Sequence, residues 1–405
     1  MDKTQQANEH YQRGIVLEQA GRIAEAVEEY RKAVAQNPQL RAAHVALAHY
    51  YRRHGLVAKS IDAWRDAVTI QPDYEALTQL ATAQIELKRY GDARATLRQC
   101  LMLEPLDSFV LYELAFISYE EGDFRGALDQ LLELRPVYND EWQLHELLGQ
   151  CQVKLGFYDA ALASFGRAML LTNDDEQLVE LQHNVAMIER HQEFDMLVSL
   201  KDRWYAEHGM VVVGSSGDDG IIINEQASMT WDYADLARTV QRLIQLKLAT
   251  IHRCTSVLAF NRIVEPIAQV MAHLLNIPIV QSDQLKHGDH VLLVLPMLDE
   301  EATITTIDDD LPCESVVMFA LAMRFRPEIG DLVPQIVGVP ARHAVLPWEA
   351  ELSKLRQQPN SRPAIQALLD YASATLMRAI ADLSPEANVL DQVAYHQKHG
   401  KVNSF

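Results

Sequence analysis

Residues 7–40 read ANEHYQRGIVLEQAGRIAEAVEEYRKAVAQNPQL, and residues 41–73 read RAAHVALAHYYRRHGLVAKSIDAWRDAVTIQPD. Each stretch contains two runs of apolar residues at helical spacing, with a glycine between the runs and a proline near the end. The pattern returns with periods of 34, 33, 34 and 34 residues, in units that begin at Ala7, Arg41, Tyr74, Ser108 and Trp142. Such a period is typical of tandem pairs of helices.

Two slots of the repeat hold only small residues. The eighth slot holds Gly14, Ala48, Ala81, Ala115 and Gly149, and the twentieth holds Ala26, Ser60, Ala93, Ala127 and Ala161. Antiparallel helices approach closely only where side chains are short. These slots therefore predict where the two helices of each pair cross, with the larger residues Tyr30, Trp64, Leu97, Leu131 and Phe165 packed around the crossing.

The turn between the paired helices carries a glycine in four of the five units: Gly21, Gly55, Gly122 and Gly156. Glycine suits a helix C-terminus that needs a positive φ. Lys88 occupies this slot in the third unit, where Gly91 is the nearest glycine. Prolines that cannot continue a helix end the first three units.

Over residues 7–175 the chain resembles the tetratricopeptide repeat (TPR) family, because several slots match in register. The resemblance implies an α-solenoid that binds a protein or peptide. Residues 176–208 continue as helix and predict a degenerate sixth repeat or a capping pair, so we place the solenoid at residues 1–208.

The resemblance also implies that the first helix of each pair lines a groove, with slots two, five, nine and twelve facing it. The candidate peptide-binding residues in these slots are Tyr11, Glu18, His49, Arg52, Phe109, Tyr112, Phe116 and Tyr119. The last four place aromatic rings on one stripe of one helix. Alternatively, these rings pack against neighbouring repeats, or the C-terminal part of the chain occupies the groove.

Some TPR proteins bind the C-terminal carboxylate of chaperone tails with Lys, Asn and Arg. The corresponding slots here hold Tyr11, Ile15, Ala46, Glu75 and Gln79, which offer no cation for a carboxylate. A chaperone-tail adaptor is therefore disfavoured. Three histidines share the fourth slot of different repeats, too far apart for one metal ion, and we expect them to pack: His10, His44 and His145.

After residue 208 short runs rich in Val and Ile predict buried strands, namely MVVVG (210–214), SVLAF (256–260), IPIV (277–280), HVLLVLP (290–296), SVVMFALAM (315–323) and PQIVGV (334–339). Helical spacing at 233–248 and 264–276 alternates with them. This alternation favours an α/β domain with a largely parallel sheet over residues 209–345. Residues 346–405 predict a helical segment and a tail.

The order strand, loop, helix, IPIV and then HVLLVLPMLDEEAT is similar to the phosphoribosyltransferase fold. The resemblance implies two adjacent acids after the last strand and a loop of small residues for the sugar phosphate. Leu295 and Pro296 stand in place of the acids, and Asp299, Glu300 and Glu301 stand in the loop. Because carboxylates repel a phosphate, we expect an enzyme fold that has lost its active site.

The other short motifs do not indicate a catalytic or ligand-binding site. We expect the segment GSSGDDG (214–220) to form a tight turn or hairpin and the run Asp308–Asp310 to be a solvated loop. The pairs His287/His290 and His396/His399 lack a third ligand for zinc. No catalytic motif is found, and we expect no cofactor and no metal.

The composition of the chain disfavours some classes of binding partner. The chain has 36 Lys and Arg against 56 Asp and Glu, for a net charge of −20. Nucleic acids and anionic membranes attract basic surfaces, so both are disfavoured as partners. The start has no apolar signal, the four cysteines are dispersed, and we expect a cytoplasmic protein with reduced thiols.

The sequence thus favours a protein–protein interaction adaptor or scaffold that binds a peptide or protein segment in the TPR groove. The alternative is an enzyme, or a sensor of a nucleotide or phosphosugar, that uses the C-terminal α/β domain. A further alternative is self-association, in which the groove holds the chain's own tail, Tyr395 to Phe405.

Overall fold

The computed structural model describes residues 3–246, 248–298, 311–324, 333–386 and 389–399. Its contacts form two compact units, Met1–Leu181 and Gln182–Phe405. The predicted loop at residues 299–301, the acidic run at 308–310 and the tail from residue 400 lie outside the described residues.

The first unit consists of five antiparallel helix pairs and the start of an eleventh helix. The pairs are α1 (Lys3–Gln19) and α2 (Ile23–Gln36), α3 (Arg41–Arg53) and α4 (Val57–Ile70), α5 (Tyr74–Glu86) and α6 (Tyr90–Leu103), α7 (Ser108–Glu120) and α8 (Phe124–Tyr138), and α9 (Trp142–Lys154) and α10 (Tyr158–Leu171). Helix α11 (Asp175–Gln192) runs on into the second unit. The predicted α-solenoid is confirmed, with a helix pair at each repeat.

The small slots lie where paired helices touch. A Cβ atom added to Gly14 would come within 2.4 Å of the Tyr30 ring, and one added to Gly149 would come within 2.7 Å of the Phe165 ring. Ala48, at the equivalent position of the second pair, is fully buried. Close helix approach therefore explains why these slots exclude larger side chains.

The turn slot has a positive φ in all five pairs. The glycines adopt φ of +74° at Gly21 and +75° at Gly156, and Lys88 adopts +55°. Gly91 lies inside α6 and does not supply the turn. The third repeat thus keeps the turn geometry with a lysine in a conformation that costs an L-residue about 1 kcal/mol.

The second unit contains eight strands and seven whole helices within the described residues. They are α12 (Leu200–His208), β1 (Val211–Val212), β2 (Met229–Thr230), α13 (Tyr233–Gln245), α14 (Ala249–Arg253), β3 (Ser256–Ala259), α15 (Glu265–Leu275), β4 (Ile279–Val280), β5 (His290–Leu298), β6 (Ser315–Met323), β7 (Ile336–Pro340), β8 (Ala344–Val345), α16 (Glu349–Arg356), α17 (Arg362–Asp382) and α18 (Val389–Lys398). A single 3₁₀ turn covers Ser282–Gln284.

Six strands form one parallel sheet in the order β1-β7-β6-β5-β3-β4, and β2 pairs with β8 in a small second sheet. Leu293 in β5 is in register with Met318 in β6 and Leu258 in β3. Both faces of the sheet are buried, because Leu292 and Phe319 belong to one apolar cluster and Leu293 to another. The predicted parallel sheet is confirmed, and its doubly covered strands explain the continuous apolar runs.

Helices α13, α15 and α17 contact one another in the second unit. Helix α12 contacts β1. The domain limits predicted at residues 208 and 345 stay predictions.

Candidate functional site

The first helices of the five repeats carry the candidate binding residues. We call the residues in slots two, five, nine and twelve of α1, α3, α5, α7 and α9 the first-helix surface. All eight predicted site residues are partly or fully exposed within the first unit. They divide into a polar group on α1 and α3 and an aromatic group on α7.

The polar group begins on α1. The ring of Tyr11 lies 5.8 Å from that of Tyr30, and the hydroxyl of Tyr30 donates a hydrogen bond to Glu18 at 2.6 Å. Glu18 also lies 3.7 Å from the guanidinium of Arg53. Tyr11 thus packs within its own helix pair, and the carboxylate of Glu18 has both a hydroxyl and a cation beside it.

On α3, the ring of His49 packs edge-on against Trp64 with 4.9 Å between centroids. Burial lowers the pKa of His49, so this ring is neutral at pH 7. Arg52 pairs with Glu86 at 3.7 Å. In this part of the first-helix surface, arginines therefore lie beside the carboxylates.

The aromatic group lies on α7. The ring of Tyr112 is 6.1 Å from that of Tyr138, and the ring of Tyr119 is 5.4 Å from that of Phe124. Together with Phe116, these tyrosines pack against the core shared by α7, α8 and α9, as the packing alternative expects. The fourth ring, Phe109, is 37% exposed. The stripe is anchored in the solenoid and keeps part of its surface open.

Two acidic residues accompany these rings. Glu113 lies on α7, and Glu146 lies on α9, which contacts α7. Burial raises the pKa of Glu113, and burial together with Glu180 raises the pKa of Glu146 to about 7. Burial also raises the pKa of Tyr112 and Tyr119, and the Glu146 carboxylate adds to both shifts. The two carboxylates near these tyrosines are therefore poorly solvated by water.

A buried amide oxygen lies on the same helix. The Oε1 atom of Gln143, in slot two of α9, has no hydrogen-bond partner among the described residues. Gln143 and Glu146 occupy slots two and five of α9, so the repeat register in the sequence places both on the first-helix surface. Glu113 lies outside those slots, and only the packing of α7 and α9 reveals its burial.

The three histidines of the fourth slot bond to their own repeats. The Nε2 atom of His44 lies 2.9 Å from the carbonyl oxygen of Pro38, and that of His145 lies 2.8 Å from the carbonyl oxygen of Asn139. His10 contacts Glu29 at 2.6 Å. The predicted packing role is thus confirmed, and it includes a hydrogen bond to the turn before the helix.

In the second unit a cavity of about 330 Å³ lies at the carboxyl ends of β3 and β4. Its lining includes the half-exposed ring of Phe260 and the polar side chains of Asn261, Arg262, Gln281 and Ser282. The chain passes from β3 outward to β4 and then back across β3 to β5. Ligands of open parallel sheets usually bind at such a reversal of strand order.

A buried ionic network lies beside the predicted turn at residues 214–220, which the structure confirms as a turn. Its Asp218 accepts a hydrogen bond from the backbone of Ser215 at 2.8 Å. Asp218 also pairs with Arg242, which is 1% exposed and pairs with Glu386 at 2.6 Å as well. Asp218 of this turn thus stabilises a buried arginine.

A second buried contact involves the last described helix. Lys201, only 2% exposed, donates hydrogen bonds to the carbonyl oxygen of Gly220 at 2.7 Å and to Nε2 of His396 at 2.9 Å. Burial lowers the pKa of Lys201 to about 7 and lowers that of His396. Tyr395 donates a hydrogen bond to Asp202. These contacts hold α18 against α12.

No three His, Cys, Asp or Glu side chains of the described residues come together as a metal site. Within the same ranges, no helix is both long and apolar enough to cross a bilayer.

Two models of the tetratricopeptide repeat family match the first unit, over residues 11–75 and 74–105. Anaphase-promoting complex subunit 3 of Dictyostelium discoideum is 30% identical over 88 residues, which are 22% of this chain and 9% of that protein. A TPR repeat-containing protein of Methanocaldococcus jannaschii is 26% identical over 133 residues, or 32% of this chain and 23% of that protein. The chain thus spans less than a quarter of these relatives.

Several solved structures are similar to part of the chain. YrrB, described as a TPR protein with an unusual peptide-binding site, is 15% identical over 43% of this chain and 90% of its own, with a TM-score of 0.38. A MamA protein is 16% identical over 48% of this chain and 97% of its own, with a TM-score of 0.37. Scores below 0.5 do not establish a common fold for the whole chain.

Proposed function

Because the N-terminal part of the chain is a tetratricopeptide repeat segment, we propose that its first-helix surface binds an extended segment of a partner protein. The centre of this site is the aromatic stripe of α7. The observation that supports it best is that the stripe is anchored in the core at Tyr112 and Tyr119 and still leaves ring surface open.

Anchored rings suit a binding site for energetic reasons. Aromatic side chains bury large areas, and Tyr is enriched among interface residues that dominate binding energy. A ring already fixed by its neighbours loses little side-chain entropy when a partner covers it. The stripe of α7 is therefore preorganised for binding in a way that freely rotating surface side chains are not.

The proposal is tested with displayed random 12-residue peptides. The full chain is used to select binders, and their affinity is measured by isothermal titration calorimetry. The double variant Phe116→Ala and Tyr119→Ala is expected to weaken binding by about 100-fold, because hot-spot truncations cost 2 kcal/mol or more. Circular dichroism verifies that the variant is folded.

Phe157→Ala provides the matched control. Phe157 is 45% exposed, lies just before α10 and does not belong to the first-helix surface. Binding of the same peptides is expected to stay within about twofold of wild type. If the selected peptides bind the double variant as tightly as wild type, α7 is not part of the binding site.

The cavity beside β3 and β4 supports a second candidate function, the binding of a small phosphorylated ligand by the second unit. Its lining combines an arginine, two amides, a hydroxyl, an aromatic ring and one carboxylate, that of Glu265, at the reversal of strand order. Arg262 already donates hydrogen bonds to Gln366 at 2.8 Å and to Glu265 at 3.4 Å. A ligand there shares this cation with its protein partners.

Thermal denaturation of the full chain with millimolar nucleotides, phosphoribosyl pyrophosphate and divalent ions tests this candidate. A ligand that binds the folded state raises the melting temperature. The Arg262→Gln variant is expected to lose that rise. An unchanged melting temperature across all these ligands would exclude the candidate.

A further inference from the structure

A set of acceptor groups and aromatic rings on α7 and α9 lacks a cation. We call it the acidic groove, and it consists of Tyr112, Glu113, Phe116, Tyr119, Gln143 and Glu146. All of these side chains are partly buried. The groove combines two carboxylates, two hydroxyls and three aromatic rings on one pair of neighbouring helices, and the buried amide oxygen of Gln143 lies on the same helix as Glu146.

The charges of this groove are not balanced by the chain's described residues. Neither Glu113 nor Glu146 forms an ion pair or a hydrogen bond within the described ranges. The electrostatic neighbour of Glu146 is another acid, Glu180. On the first three repeats, by contrast, Glu18 lies beside Arg53 and Arg52 lies beside Glu86. Glu18 therefore has a cation beside it, whereas Glu113 and Glu146 have none among the described residues.

Leaving partly buried carboxylates without a cation costs free energy that the folded chain must carry. A ligand that supplies the cation removes that cost and gains charge-assisted hydrogen bonds. The Oε1 atom of Gln143 is buried and has no hydrogen-bond partner among the described residues, so this acceptor is also left unsatisfied by the chain. Ring faces of Tyr and Phe attract cations through their quadrupole.

We propose that the acidic groove binds an arginine or lysine side chain carried by an extended segment of the partner. This inference rests on the proposed function, since it names the chemistry of the same site. A guanidinium matches the groove best, because it is flat enough to stack on a ring and donates five hydrogen bonds in its plane. The segment around it is expected to be basic, in keeping with the chain's net charge of −20.

Other occupants fit the groove less well. A phosphorylated or acidic segment would meet the carboxylates of Glu113 and Glu146 and be repelled. A wholly apolar segment would cover these carboxylates further without pairing them. The aromatic rings could receive it, but at the expense of additional desolvation.

Peptide selection with the full chain tests the inference. The probe is the display library of random 12-residue peptides, selected in parallel on wild type and on the double variant Glu113→Gln and Glu146→Gln. Wild type is expected to enrich Arg and Lys above their frequency in the library, and the double variant is not. Replacing the enriched arginine by citrulline, which keeps the shape and removes the charge, is expected to weaken binding about tenfold or more.

The control variant makes the same change of charge elsewhere. Glu104 and Glu133 are exposed and belong to α6's C-cap and to α8. Changing both to Gln is expected to alter affinity by less than about threefold, since exposed charges act mainly through screened long-range fields.

The outcomes separate the two proposals. Peptides that depend on Phe116 and Tyr119 but show no enrichment of Arg or Lys would overturn the inference and leave the peptide site standing. Enrichment of acidic segments, or affinity unaffected by citrulline, would overturn it equally. If no peptide is selected at all, both the peptide site and its cation specificity are refuted.

Discussion

At the scale of single residues, Lys88 is the only non-glycine residue in the five turn slots, and its positive φ costs free energy. Lys88→Gly is expected to raise the free energy of unfolding by about 0.5–1 kcal/mol. Glycine removes the strain of about 1 kcal/mol or more, and its greater freedom in the unfolded chain offsets part of the gain. Urea unfolding followed by circular dichroism measures the change.

Lys59→Gly serves as the control for Lys88→Gly. Lys59 is exposed inside α4, where glycine is expected to lower stability by about 1 kcal/mol. If both substitutions destabilise, the turn at Lys88 does not require a positive φ.

Glu146 gives a second prediction at this scale, with a defined pH range. Its pKa is raised to about 7 in the folded chain, so between pH 4.5 and 7 folding binds a proton and stability falls as pH rises. Glu146→Gln removes this loss. We expect the variant to match wild type at pH 5 and to be more stable by about 1–2 kcal/mol at pH 8, a figure reduced for partial exposure.

Calorimetric unfolding of the full chain at the two pH values checks the prediction for Glu146. Glu133→Gln, on an exposed position of α8, should show no such difference between pH 5 and pH 8. Equal stability of wild type and Glu146→Gln at pH 8 would mean that the carboxylate is well solvated.

At the scale of elements, two glycines on neighbouring helices distinguish the effect of packing on stability from the effect of helix propensity. Gly149 in α9 faces the Phe165 ring, whereas a Cβ atom at Gly166 in α10 meets no atom within 4 Å. Alanine improves helix propensity at both sites by about 1 kcal/mol. Gly166→Ala is therefore expected to stabilise the folded chain. Gly149→Ala is expected to destabilise it by about 1–2 kcal/mol, because overpacking outweighs the gain in helix propensity. Thermal melts of both variants compare them.

The docking of α18 carries a pH prediction of its own. Burial holds the pKa of His396 in the folded chain below its usual 6.5. As pH falls, the imidazole is therefore protonated in the unfolded chain before it is protonated in the folded chain, and the free energy of unfolding decreases. The loss is about 1 kcal/mol per pH unit below 6.5. In His396→Gln this contribution is absent, and the stability advantage of wild type should shrink between pH 7 and pH 5.

Urea titrations of wild type and His396→Gln at several pH values follow that advantage. His183 and His191, whose pKa values burial also lowers, are present in both chains and cancel in the difference. A difference that does not vary with pH would indicate that His396 is solvated and that α18 is not held through Lys201.

The sequence predicted those elements whose cause is local. Small residues at helix crossings, glycines in turns and apolar runs in buried strands each reflect a constraint within about one repeat or one strand. Strands β2 and β8 have two residues each and leave no pattern. The pairing of Arg242 with Glu386 joins residues 144 positions apart, so no local pattern could indicate it.

In the candidate site, too, features with a local cause could be predicted from the sequence and features that depend on helix packing could not. The aromatic stripe of α7 could be predicted from helical spacing, because slots three and four residues apart lie on one face. The burial of Glu113 and Glu146 could not, since it depends on how α9 packs against α7. Charges near a predicted stripe therefore need the folded structure before their partners can be inferred.

At the scale of the molecule, the chain joins a helical repeat unit to a unit built on a parallel sheet. Part of the repeat unit matches models of the tetratricopeptide repeat family. In the proposed function a partner protein binds at α7 and α9, where the aromatic rings supply contact area and the carboxylates supply charge.

Hydrogen–deuterium exchange of the full chain, with and without a selected arginine-bearing peptide, tests that central claim most directly. Binding slows amide exchange where the peptide stabilises the structure. We expect slower exchange in residues 108–154, which hold α7 to α9, and no slowing there in the Glu113→Gln and Glu146→Gln variant. Slower exchange confined to residues outside 108–154 would contradict the account.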